Sequence, residues 1–122
     1  MARILVVDDS PTETFRFREI LQRHGHDVIE ASNGADGVAV ARAEIPDLIL
    51  MDVVMPGMNG FQATRQITRG TETSHIPVVI VSTKDQETDR VWGKRQGARD
   101  YLTKPIDEAA LMQVIRQLLS AG

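Results

Sequence analysis

Short runs of Val, Ile and Leu without polar alternation recur along the chain at residues 4–7, 27–29 with their flanks, 48–51 and 78–81, and a weaker run lies at 100–103. An uninterrupted apolar run of this length is what a parallel strand needs when both of its faces are covered. Between the runs, apolar positions fall at helical intervals. Residues 11–24 begin with Ser10 as N-cap and Pro11 at the first helical position, carry Glu13 in the first turn and stop at Gly25; Phe15, Ile20 and Leu21 are assigned to the inner face. A second helix over 35–43 ends before Pro46, with Val38 and Ala39 inward, and Asn33-Gly34 ahead of it reads as a turn. The third, 60–68, offers Phe61, Thr64, Ile67 and Thr68 at helical spacing, with Gly70 as its stop. The fourth, 86–96, is polar, holds Gly93 in its middle and ends at Gly97, which predicts a marginal helix. The fifth, 107–119, opens on an acidic turn and repeats Leu111, Val114, Ile115 and Leu118 on one face.

Strands alternating with helices in this way imply right-handed βαβ units, hence an α/β fold with a doubly wound parallel sheet. A length of 122 residues with 42% hydrophobic composition suits one core, so a single domain over 1–122 is expected. The formal net charge of -3 leaves no basic stripe, which argues against a nucleic-acid partner. Without cysteine the chain has no disulfide framework, thiolate zinc site or thiol nucleophile, in keeping with a reducing cytoplasm. The opening apolar run breaks at Asp8-Asp9 with no small-residue cleavage site after it, and no stretch nears the about 20 apolar residues of a membrane span. A cytoplasmic protein without membrane insertion is expected.

In doubly wound sheets, ligands bind outside the carboxyl ends of the strands. Polar residues follow four of the five runs: Asp8 and Asp9, then Asp52, then Ser82 and Thr83, then Lys104. Three carboxylates brought together raise one another's pKa unless a cation sits among them. Oxygen ligands without His or Cys favour Mg²⁺, and a magnesium ion beside a carboxylate is an arrangement for moving a phosphoryl group. Lys104 then supplies a point charge for a phosphoryl oxygen and Ser82 a hydroxyl donor, with Pro105 stiffening the loop. Taken singly, each residue has a plainer reading: a strand-end aspartate caps a helix, and Asp8-Asp9 complements a helix dipole. Taken together they share no structural task. His24, His26 and His75 read as solvated loop histidines, and Met51, Met55 and Met58 as packing.

These residues resemble the response-regulator receiver domains of two-component signalling, the CheY-like class. Four motifs carry the likeness: Val-Val-Asp-Asp-Ser at 6–10, Leu-Met-Asp-Val-Val-Met-Pro-Gly-Met-Asn-Gly at 50–60, Val-Ser-Thr at 81–83 and Gly-Ala-Arg-Asp-Tyr-Leu-Thr-Lys-Pro at 97–105. The resemblance spans essentially the whole chain and implies a flavodoxin-like (βα)5 sheet in the order 2-1-3-4-5. It implies Asp52 as the phosphorylated aspartate, Asp8 and Asp9 beside it as metal-site acids for Mg²⁺, and the Val54 carbonyl as a further metal ligand. Lys104 matches the phosphate-contacting lysine, Ser82 the switch hydroxyl and Tyr101 the switch aromatic, expected to rotate inward when the Ser82 loop moves. A histidine kinase would be the donor. Such a protein catalyses its own phosphorylation and dephosphorylation without being a conventional turnover enzyme, and switches a partner-binding surface on the fourth helix, fifth strand and fifth helix. Trp92 lies there, read first as an edge-packed aromatic and second as a partner contact.

Residues 59–66 and 83–101 are similar to standalone receivers of type IV pilus chemosensory systems, which implies a chemosensory kinase and an output in twitching motility through an unidentified partner. The alternatives are a phosphate sink or a different chemosensory output. The ending at Ala121-Gly122 without a linker reads as a standalone protein. Two competing classes fit less well: a phosphohydrolase needs a polar group to activate water, and a flavin module needs a glycine- and hydroxyl-rich loop after the first strand. Asp8-Asp9-Ser10-Pro11 is a poor anion cradle. Val54 and Lys84 stand where fast-cycling chemotaxis receivers carry polar or acidic side chains, which predicts a longer-lived phosphoryl group.

Overall fold

The computed structural model describes residues 1–120. Its elements alternate without interruption: β1 (Arg3–Val7), α1 (Pro11–Arg23), β2 (Asp27–Ala31), α2 (Gly34–Glu44), β3 (Leu48–Met51), α3 (Gly60–Arg69), β4 (Val78–Ser82), α4 (Glu87–Arg95), β5 (Asp100–Thr103) and α5 (Glu108–Ser120). All strand pairs are parallel, in the order β2-β1-β3-β4-β5. The chain therefore builds outward from β1 to β2, then crosses to the other side for β3, and the reversal falls between β1 and β3.

Strand residues split between the two faces with the period of the pleat. Ile4, Val6, Leu48, Leu50, Val79 and Val81 pack with Phe17, Ile20 and Leu21 of α1 and Leu111, Met112 and Ile115 of α5. Leu5, Val7, Ile49, Met51 and Val78 pack on the opposite side with Val38 and Ala41 of α2 and Ala63 and Ile67 of α3. Burial on both faces is the physical reason that β1, β3 and β4 read as continuous apolar runs. The edge strand β2 does not fit that description: Asp27 and Glu30 are exposed and Val28 and Ile29 only half-buried.

Several inner faces differ from the sequence reading. In α1 the buried stripe is Thr14, Phe17, Ile20 and Leu21, and Phe15 points outward, 55% exposed. In α2 the buried positions are Gly34, Gly37, Val38 and Ala41, while Ala39 faces solvent. Asn33 is the N-cap of α2 rather than part of a free turn, its side chain accepting from the Asp36 N–H at 2.8 Å. The same helix is capped by Ile45 at a left-handed φ of 43°, its N–H donating to the Ala41 carbonyl at 3.0 Å just before Pro46. Two histidines are partnered: His24 lies 3.0 Å from Glu108, and His26 accepts the Ala2 N–H at 3.1 Å. Burial and the nearby N-terminus lower the His26 pKa. Among the described residues no helix is long and apolar enough to cross a membrane.

Candidate functional site

The ladder that closes the sheet also aims the polar residues at its rim. The Asp8 N–H donates to Ala31 at 3.1 Å, the Asp52 N–H to Val7 at 2.9 Å and the Lys104 N–H to Ser82 at 2.9 Å. These bonds carry the register one residue past β1, β3 and β5, so three side chains distant in sequence project from one edge. Ser10 caps α1 by accepting from the Glu13 N–H at 3.3 Å, while its own N–H donates to Asp8 at 2.9 Å and steadies that carboxylate.

Asp8, Asp9 and Asp52 each offer a carboxylate oxygen, and these lie within 4.8 Å of one another. Asp8 and Asp52 are buried; Asp9 is exposed. The Lys104 ammonium stands 2.8 Å from Asp8 and 3.4 Å from Asp52. Burial and the Asp8 charge push the Asp52 pKa from 3.8 up to about 6, with Lys104 pulling the other way. Burial opposes the Lys104 charge, but the Asp8 hydrogen bond and Asp52 outweigh it and raise its pKa. One ammonium against three crowded carboxylates leaves negative charge in excess. An all-oxygen set of this kind suits a hard divalent cation with open positions for water.

Ser82 is fully buried at the end of β4 and accepts the Lys84 N–H at 3.1 Å. Tyr101 is buried as well, with its hydroxyl donating to the Lys84 carbonyl at 2.7 Å. The ring thus already lies inside, and no inward rotation remains for it to make in this conformation. Burial raises its pKa, with the neighbouring Ser82 acting in the opposite sense. Val54, two residues past Asp52, is 58% exposed, and Lys84 is exposed. The Lys104-Pro105 peptide is cis. Met51 and Met55 are core residues and Met58 packs against that core. Trp92 stands half out of α4, 48% exposed.

Two contributors escaped the sequence reading. Gly60 starts α3 where any Cβ would come within 1.9 Å of the Asp52 carbonyl oxygen, and its N–H donates to Val53 at 3.0 Å, so the loop after β3 can fold back only over a glycine. The Asn-Gly pair ahead of a helix was its one visible trace. Arg90 of α4 donates to the Tyr101 carbonyl at 3.1 Å and to Thr103 at 2.7 Å, and its guanidinium lies 5.3 Å from the Tyr101 ring centroid. Nothing local in the sequence marks that contact, which depends on how α4 settles on β5.

A doubly wound sheet with an acidic cluster and a lysine at its switch point defines an α/β protein whose ligand site lies outside the carboxyl ends of its strands. The chain belongs to the response regulator receiver domain family, whose description fits residues 4–116. It is 67% identical over 120 residues to Protein PilH of Pseudomonas aeruginosa, covering 98% of this chain and 99% of that protein. To response regulator PleD of Caulobacter vibrioides it is 42% identical over 117 residues, covering 96% of this chain but 26% of PleD. Among solved structures, Vibrio cholerae chemotaxis protein CheY4 superposes with a TM-score of 0.91 at 29% identity, covering 98% and 99% of the two chains. The receiver domain of the Pseudomonas aeruginosa sensor histidine kinase PA1611 superposes at 0.90 with 28% identity, covering 98% of each, and was solved with a magnesium ion coordinated in its active-site cleft. The fold is therefore the flavodoxin-like (βα)5 arrangement in the order 2-1-3-4-5.

Proposed function

We propose that this chain is a phosphorylation switch in which Asp52 accepts a phosphoryl group from a histidine kinase. The observation that carries the reading is the Lys104 ammonium set between Asp8 and Asp52 in a three-carboxylate cluster at the switch point of the sheet. Asp8, Asp9, Asp52 and the main-chain carbonyl of Val54 would hold Mg²⁺, which supplies charge neutralisation for the transferring group and lets Asp52 ionise despite its burial. The Asp52 carboxylate attacks phosphorus, the bond to the kinase histidine breaks, and the imidazole leaves with its electron pair. Lys104 then turns from the carboxylates to a phosphoryl oxygen, and the Ser82 hydroxyl donates to another.

The added charge draws the Ser82 loop toward Asp52. Lys84 is bonded both to Ser82 and to the Tyr101 hydroxyl, so the movement is relayed to β5 and the α4 face beside it. In the unphosphorylated chain Arg90 and the Lys84 carbonyl already favour the inward ring; the phosphoryl group narrows a population rather than creating a new one. Likeness to PilH supports an output in type IV pilus and twitching motility under a chemosensory kinase. A phosphate-sink role would use the same site chemistry.

Intact-mass analysis with acetyl phosphate tests the reading. The native chain should gain one phosphoryl group only with Mg²⁺ present, and Asp52→Ala should gain none. An adduct indifferent to Asp52 or to the metal would sink it.

A further inference from the structure

From the loop after β3 along the length of α3, α2 and α3 border an open groove of about 700 Å³ lined by three arginines: Arg42 from α2, and Arg65 and Arg69 from α3. None of the three forms a salt bridge among the described residues, although Arg3, Arg18 and Arg23 all do. Glu72 lines the adjoining hollow with Arg42 and makes no ion pair either. Three unpaired guanidiniums facing one groove, in a chain whose net charge is -3, concentrate positive potential where the rest of the molecule is acidic. We propose that this α2–α3 groove docks an acidic segment of a partner protein, one presenting carboxylates about a helical turn apart.

The shape of the groove selects that occupant. Arg65 and Arg69 lie one turn apart on α3 with Gln66 between them, and Arg42 lines the same groove from α2, so two of the charges are spaced as an acidic pair one helical turn apart would need. Gly57 precedes α3 and Gly70 follows it, and both line the groove without a side chain to fill it. Met58 provides an apolar contact beside the guanidiniums. A phosphate would be held better by the free amides of a helix N-terminus, but the first turn of α3 is satisfied internally, Asn59 and Gln62 each accepting the other's backbone N–H at 2.9 Å. No aromatic side chain lines the groove for a base to stack on. Planar guanidiniums paired with carboxylates in a partly apolar trough match a protein contact.

The test is an NMR titration of the isotope-labelled full chain with a synthetic helical peptide carrying glutamates one turn apart. The same peptide with glutamines, a single-stranded oligonucleotide and inorganic tripolyphosphate serve as comparison probes. The glutamate peptide should shift amides along α3 and the end of α2, and added salt should weaken it. Arg65→Glu combined with Arg69→Glu should lower its affinity by at least about tenfold, and Arg42→Gln should lower it as well. All three residues lie outside the phosphorylation site, so helix content and labelling of Asp52 should stay unchanged in the variants, which separates this proposal from the previous one. No shift at the groove, equal binding of the glutamine peptide, or tighter binding there of the oligonucleotide or tripolyphosphate would overturn it.

Discussion

Asp52 carries a conflict between burial and charge that a bound cation is suited to relieve. Its pKa is raised from 3.8 to about 6, so in the metal-free chain the folded state favours the protonated acid. Stability is then highest below the ordinary value, falls as pH rises toward about 6, and above that carries the full cost of a buried carboxylate, on the order of 3 kcal/mol. Without divalent metal, Asp52→Asn should be more stable than the native chain at about pH 8, and the gap should close as pH falls toward about 4. Urea unfolding at both pH values checks this. Adding Mg²⁺ should reverse the order, because the native site gains a ligand that the amide variant binds less well. Val54 lies two residues past Asp52, exposed, with an isopropyl group that neither accepts a proton nor holds a water. Val54→Asn should shorten the life of the phosphoryl group several-fold, as followed by intact mass during decay; an unchanged or longer lifetime would remove Val54 from the account of slow hydrolysis.

Elements were legible in the sequence wherever burial is two-sided, since β1, β3 and β4 could be recognised by apolar runs alone. The edge strand β2 and the inner faces of α1 and α2 were harder. Hydrophobicity alone predicts an inward Phe15, but the stripe that packs on the sheet runs through Thr14, Phe17, Ile20 and Leu21, and a lone apolar residue off that stripe faces water at modest cost. In α2, Gly37, Val38, Ala39 and Ala41 are too small for hydrophobicity to distinguish the buried ones from Ala39. The site was legible because strand ends in a doubly wound sheet must converge. Gly60 and Arg90 were not, because their work lies in contacts between elements. Gly93 shows the same limit on α4. Read as a weak point, it is the buried residue of that helix: a Cβ there would come within 2.9 Å of Ile80 and 3.1 Å of the Tyr101 ring. Gly93→Ala would gain about 1 kcal/mol of helix propensity and lose about 1–3 kcal/mol to overpacking. The net expectation is a destabilised protein with an altered Tyr101 environment, read by thermal melting and by Tyr101 ring shifts.

At the scale of the molecule, the proposed phosphoacceptor site has no local existence. Lys104 meets Asp8 across 96 residues of chain and Asp52 across 52, and each of these side chains is aimed by a ladder that must be closed first. Unfolding of so small a sheet is expected to be cooperative. Across a urea series, labelling by acetyl phosphate should therefore fall with the same midpoint as far-UV circular dichroism; labelling that outlasts the sheet would mean Asp52 needs less of the fold than its geometry implies. Copies caught half-made on the ribosome, or nicked and partly unravelled in an ageing cell, would then be mute: they could neither draw phosphate from the kinase nor pass on a false message.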